Sequence, residues 1–367
     1  MTFCLDARTA HDHFPGVGRY VANLARAMAT GLAEDEAIVL LRDPTHAPWN
    51  IGVDHPRVRL VDAAVSPFAL QQQWQLPRLL RRIGARLYHS PYYLMPLRAG
   101  VPTVVTIHDL IPLRFPTYFS RRDRLIFAAA VRLALRVARV VIAVSATTAR
   151  DLTDRLHVAA ARIAVIPEAA DPVFRPQAGE VVTAMRTRWS LPERYVLYFG
   201  SNKPHKNLVA LVDAWAQLQP QPMPLVIAGV WDPRYPEACQ RAETKQLTGA
   251  IRFLGPVTEA DLPALYGGAL VFVFPSEYEG FGLPVIEAMA CGVPVACSNT
   301  PSLVEVAGDA ANWFDPHDAD SIASTVGALV RDGELRHDLS KRGIERAARF
   351  AWTDTARATL DVYRSLL

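Results

Sequence analysis

Lysine is nearly missing from this 367-residue chain: only Lys203, Lys206, Lys245 and Lys341 occur among 39 basic residues. Cysteine is as sparse. Cys4, Cys239, Cys291 and Cys297 are scattered, without the spacing of a disulfide framework or a zinc site, so reduced thiols in a cytoplasmic chain are expected. No apolar run is long enough to span a bilayer, and Met1-Thr2-Phe3-Cys4-Leu5-Asp6 lacks the basic and apolar regions of a signal peptide. There is no low-complexity segment, no short-period repeat, and no Asp-x-Asp pair placed to hold a metal; no metal and no nucleic-acid partner is expected. What is present is globular: half the residues are apolar and a fifth charged, over a length that suits two domains.

The net charge of +3 is uneven. Residues 1–170 hold 21 Arg, no Lys and 13 Asp plus Glu, a balance of +8 that leaves −5 for the rest. A basic first half suits an acidic or membrane-surface partner. A solvated arginine-rich surface explains it equally well. The stretch Arg121 to Arg139, with Arg122, Arg124, Arg132 and Arg136 among Leu, Ile, Phe and Ala, reads as an amphipathic basic helix. So does Phe68, Leu70, Trp74, Leu76, Leu79 and Leu80 with Arg78, Arg81 and Arg82. An ordinary packed helix with a basic outer face is the alternative for each.

Strand-like runs at Phe3–Ala7, Ala37–Leu41, Val58–Val61, Leu87–His89, Thr103–His108, Val140–Ser145 and Ile163–Ile166 alternate with helical patterns. The rhythm restarts at Tyr195–Gly200 and continues through Leu225–Gly229, Ile251–Gly255, Leu270–Phe274 and Pro294–Ser298. Two doubly wound α/β domains with parallel sheets follow. Their junction is expected in the breaker-rich Asp171-Pro172-Val173-Phe174-Arg175-Pro176. From Ala319 onward the pattern is helical.

Ser276 to Ala290 carries most of the chemistry. An apolar strand runs into Glu279-Gly280-Phe281-Gly282-Leu283-Pro284, with a helix from Pro284 that Gly292 and Pro294 stop. Glu279 therefore lies in the loop at a strand's carboxyl end and Glu287 inside the helix. Ligands of open parallel sheets bind at that end, against helix N-termini. Two of the four lysines, Lys203 and Lys206, fall in one turn after Tyr195–Gly200, beside another helix start, where ammonium groups suit a diphosphate; two solvated loop lysines are the alternative. Phe14-Pro15-Gly16-Val17-Gly18-Arg19-Tyr20 leads into a helix, its Gly16 and Gly18 letting the backbone approach a ligand closely, or simply turning the chain. His108 and Asp109 end one buried strand and His89 another on the same edge; either could line an acceptor site.

These residues resemble a family. Glu279-Gly280-Phe281-Gly282-Leu283-Pro284 with Glu287-Ala288-Met289-Ala290 and Gly292-Val293-Pro294-Val295 is similar to the Glu-x7-Glu signature of retaining glycosyltransferases of family 4, which have the GT-B fold. Gly16 to Tyr20, Thr106 to Leu110, Ile166 to Asp171, Lys203 to Asn207, Trp313 to Pro316 and Phe350 to Trp352 resemble further family segments, in order over nearly the whole chain. With Asp6-Ala7-Arg8 at the start, the blend is most like bacterial mannosyltransferases of O-antigen and exopolysaccharide assembly. The resemblance implies an acceptor-binding Rossmann-like domain (1–175), a nucleotide-sugar-binding one (176–348) across a deep cleft, and a last helix (349–367) packing back on the first domain. It implies Glu279 and His108 at the reacting sugar and Glu287 on the ribose. Lys206, with Lys203 as second cation, falls on the diphosphate, and Gly16, Gly18, Gly280, Phe281, Gly282 and Leu283 also fall on the nucleotide sugar. His89 and Asp109 are acceptor-side candidates. Relatives often have Asn-Gly where this chain has Glu168-Ala169.

The function so implied is retaining, metal-independent hexose transfer without a cofactor. GDP-mannose is the favoured co-substrate and a glycan or polyprenyl-linked glycan the acceptor. A UDP- or dTDP-sugar is the rival donor. Two carboxylates alone also suit a glycosidase, but the lysine pair has no use in simple hydrolysis. A pyridoxal-dependent phosphorylase would need a Schiff-base lysine, and neither Lys245 nor Lys341 sits in a convincing site. A non-catalytic sugar-binding assembly subunit is the remaining class.

Overall fold

The computed structural model describes residues 1–10, 15–45, 53–218 and 223–367; Phe14 of the first glycine-containing stretch lies outside them. The chain forms two compact units, residues 1–168 with 351–367, and residues 169–350.

In the first unit seven parallel strands, β1 (Thr2–Asp6), β2 (Ala37–Arg42), β3 (Val58–Asp62), β4 (Leu87–Ser90), β5 (Thr103–Ile107), β6 (Val140–Ala143) and β7 (Ile163–Val165), lie in the order β3-β2-β1-β4-β5-β6-β7. The inner strands are apolar on both faces because helices cover both. The order reverses between β1 and β4. There the chain buries an ion pair: Arg8, 1 % exposed, donates through Nε and Nη2 to the two oxygens of Asp6 and through Nη1 to the Val65 carbonyl. Burial alone would raise the Asp6 carboxyl, but Arg8 outweighs it and holds the pKa below its ordinary value. An acceptor for each guanidinium nitrogen is what makes a buried charge tolerable.

The terminal helix Trp352–Arg364 belongs to this unit and packs along the helix Pro15–Thr30. Tyr363 is fully buried and its hydroxyl meets His89 Nδ1 at 2.6 Å, while Arg364 forks onto Glu36. In the helix Gln72–Arg82, Leu76, Leu79 and Leu80 are buried; Phe68 and Leu70 precede it in turns and stand exposed, so the amphipathic stretch is helical only from Gln72 onward.

The second unit has six parallel strands, β8 (Val196–Phe199), β9 (Leu225–Ala228), β10 (Ile251–Gly255), β11 (Val271–Phe274), β12 (Val295–Ser298) and β13 (Ala311–Phe314), in the order β10-β9-β8-β11-β12-β13. β13 is not among the strands expected above: four residues at an edge, two of them only half-buried, carry no clear apolar run. The reversal lies between β8 and β11, which places the loops after these two strands side by side. Gly229 lets the loops after β8 and β9 touch: at φ +129° a Cβ there would sit 2.1 Å from the Gly200 carbonyl oxygen.

Candidate active site

At the β8/β11 switch point, Lys206 Nζ donates to Glu279 Oε1 at 2.6 Å. The side chains are only 15 % and 10 % exposed. Two elements force this meeting. The turn after β8 closes in a short 3-10 segment, Pro204–Lys206, and leaves through Asn207 in the left-handed region. The loop after β11 is tied to that turn, because Glu277 N–H and Ser276 Oγ both donate to the His205 carbonyl. Lys206 Nζ also lies 5.3 Å from the centre of the Phe274 ring. In so enclosed a place either charge alone would cost several kcal/mol, so each is the other's counterion.

Gly282 caps the next helix, Leu283–Ala290, at φ +106°, with Leu303 where a Cβ would project. At the start of that helix Pro284 has no N–H, and the Val285 and Ile286 N–H groups both donate to the Gly282 carbonyl. Glu287, 1 % exposed, sits one turn in and accepts from the Tyr266 hydroxyl at 3.1 Å. His205 is pushed well below its ordinary pKa by burial and by the neighbouring Lys206 and Lys203 charges, so the fixed cations of this turn are the lysines. Lys203 itself is exposed.

In the first unit Gly16 and Gly18 fall within the first turn of the helix Pro15–Thr30, not in a loop before it; Gly16 is exposed and Gly18 buried. His108 follows β5. Its Nδ1 is 2.8 Å from Glu168 Oε1 and its Nε2 3.2 Å from the Pro91 carbonyl, and the edge of Tyr20 packs against the ring. One acceptor-side candidate is corrected. His89 has no exposed surface, and its nitrogens are taken by the Tyr363 and Thr106 hydroxyls, so it ties the unit together instead of lining an opening. Asp109 Oδ1 accepts the Ile111 N–H, closing the turn that opens the short helix Ile111–Arg114.

The structure thus joins Lys206 to Glu279 and sets Gly280, Phe281, Gly282, Leu283 and Glu287 on the same strand–loop–helix. Tyr266 is the residue that motif reading missed, found only through the partner it meets. Glu168 lies in the family-like segment Ile166 to Asp171, but only the structure pairs it with His108.

Residues 15–174 match the family model for Glycosyltransferase Family 4, and residues 185–346 that for Glycosyl transferases group 1. O-antigen chain mannosyltransferase B of Escherichia coli is 33 % identical over 301 residues, 81 % of this chain and 77 % of that protein. D-inositol 3-phosphate glycosyltransferase of Salinispora arenicola is 32 % identical over 407 residues, 98 % of this chain and 90 % of that one. Among solved structures, Anabaena HepE in complex with UDP-glucose superposes with a TM-score of 0.79 at 19 % identity, over the full length of both chains.

Proposed function

The chain belongs to family 4 of the GT-B glycosyltransferases, and on that premise we propose that it moves mannose from GDP-mannose to a glycan or polyprenyl-linked glycan, retaining the anomeric configuration and using no metal. The observation that carries this reading is the enclosed Lys206–Glu279 pair at the switch point of the second sheet. A sugar leaving its diphosphate develops oxocarbenium character at C1 and negative charge on the departing phosphate. Lys206, Lys203 and the positive end of the helix Leu283–Ala290 supply positive charge for that leaving group, the task a metal would otherwise perform. As the diphosphate takes over Lys206, Glu279 is released to accept hydrogen bonds from the sugar. Glu287, its carboxylate oriented by Tyr266, stands at the ribose end. Front-face attack, with the acceptor hydroxyl approaching beside the departing phosphate, gives retention.

Mannose is favoured by the likeness to the O-antigen chain mannosyltransferase. A UDP-sugar donor is the second reading, favoured by the likeness to the UDP-glucose complex. No helix among the described residues is long and apolar enough to cross a membrane. A lipid-linked acceptor would instead be met at the surface: the helix Arg121–Val137 exposes Leu125, Ile126 and Leu133 between Arg121, Arg122, Arg132 and Arg136. The test is a panel of nucleotide sugars scored for transfer and for slow hydrolysis. Turnover of GDP-mannose with an α-configured product supports the reading; turnover of UDP-sugars alone replaces the donor, and no binding or turnover with any member overturns it.

A further inference from the structure

Two histidines of the first unit, His89 fully buried and His108 half-buried, differ in the chemistry of their partners. His89 touches only hydroxyls, Tyr363 Oη and Thr106 Oγ1, each able to donate or accept, so a neutral ring is satisfied in either tautomer. His108 touches only acceptors: the Glu168 carboxylate at Nδ1 and the Pro91 carbonyl at Nε2. A neutral imidazole has one N–H and can make one of those two bonds. Both together need two N–H groups.

From this geometry we propose that His108 is held as an imidazolium by Glu168, a positioning residue, and that it serves as a fixed cation and double hydrogen-bond donor and not as a proton acceptor. The weaker contact, to the Pro91 carbonyl, is the one a substrate oxygen would replace, leaving Glu168 to hold the ring and its charge. This last step rests on the reading that His108 faces the transferred sugar; the protonation state does not.

The charged groups facing His108 agree. Burial works against the cation, but the Glu168 hydrogen bond and charge, Asp109 and the Pro91 carbonyl together overcome it and raise the pKa above the ordinary histidine value. Tyr20, packed against the ring, is raised by its own burial and stays a neutral phenol. His89 is pushed down to about 3, first by burial and then by the His108 charge, and brings no competing cation. Because the pKa of His108 is raised, its charge is present at low pH and is lost as pH rises through the folded value. Removing Glu168's charge moves that loss to lower pH.

The experiment is a long-range proton–nitrogen spectrum of the imidazoles in the full 15N-labelled chain, which has ten histidines, with His108 assigned from the His108→Gln variant. Both ring nitrogens should be protonated at pH 7, with a midpoint above the usual ~6.5. In Glu168→Gln, which keeps the side chain's shape, the midpoint should fall by about one to three units, and the high-pH limb of kcat/KM should shift the same way with nucleoside diphosphate affinity unchanged. A single neutral tautomer in the wild type at pH 7 overturns the proposal, and that spectrum decides even if the variant does not fold. An unchanged midpoint in a folded Glu168→Gln overturns the role of Glu168. An imidazolium in a chain that transfers no sugar would count against the transferase reading while leaving this one standing.

Discussion

The two units place an acid–cation pair on the same sort of scaffold, a loop at the carboxyl end of a parallel strand, yet the pairs are built for different work. In the second unit the cation is Lys206, a flexible ammonium whose partner Glu279 comes from a neighbouring loop. In the first it is His108, a rigid ring fixed from two sides by Glu168 and a carbonyl. A flexible pair at a switch point can open to admit an anion and reclose after it leaves. A ring held at both nitrogens keeps one orientation. The supporting structure differs too: around Lys206 two loops are tied through the His205 carbonyl, with glycine where loops touch, and around His108 a lattice of buried side chains reaches to Tyr363.

The comparison breaks most sharply at Glu279. Glu279→Gln should lower kcat by about 10²–10³-fold, the usual cost of removing one group that stabilises transition-state charge, with GDP binding within a fewfold of wild type by calorimetry. Full turnover would remove Glu279 from the reaction. Lys206→Ala should weaken GDP by about tenfold to a hundredfold, one charge-assisted contact of ~1.5–3 kcal/mol, and leave guanosine unaffected; equal losses for both would mean that Lys206 meets no phosphate. Tyr363→Phe deletes the hydroxyl on His89 Nδ1 and should cost about 1–3 kcal/mol of unfolding free energy in a denaturant titration, with the Lys206 site unchanged. If GDP affinity fell as well, the two units would not be separable in this way. The smallest effect is on the outer face of the first unit: Ile126→Gln with Leu133→Gln should alter stability by less than about 0.5 kcal/mol but reduce sedimentation with anionic vesicles. Unchanged sedimentation would return that helix to an ordinary basic surface.

The chain's rhythm made both sheets legible before any coordinates, because buried parallel strands are apolar runs and their helices carry the 3.6-residue period. Only β13 escaped, too short and too half-buried at its edge to show as a run. The positions of Glu279 and Glu287 on loop and helix were equally legible, since Gly282, Pro284 and Gly292 punctuate that helix at both ends. Partnerships were not. Nothing in one dimension states that Lys206 closes on a carboxylate 73 positions away, that Glu168 returns to His108, or that His89 turns inward to Tyr363. Such meetings are decided by strand order, and strand order is set by which apolar faces pack together and not by the residues that later meet at the strand ends. Gly16 and Gly18 lie in the first turn of the helix that their stretch leads into, since proline suits a first helical position.

The central claim is that a nucleoside diphosphate takes Lys206 from Glu279. The scarcity of lysine makes it directly visible, since the side-chain ammonium or dimethyl-lysine spectrum of this chain has four lysine signals, with residue 206 assigned by Lys206→Arg. Titrating GDP should move the signal of Lys206 strongly and that of Lys203 less, leave Lys245 and Lys341 in place, and guanosine should move none of them. GDP that binds without moving Lys206 would contradict the account.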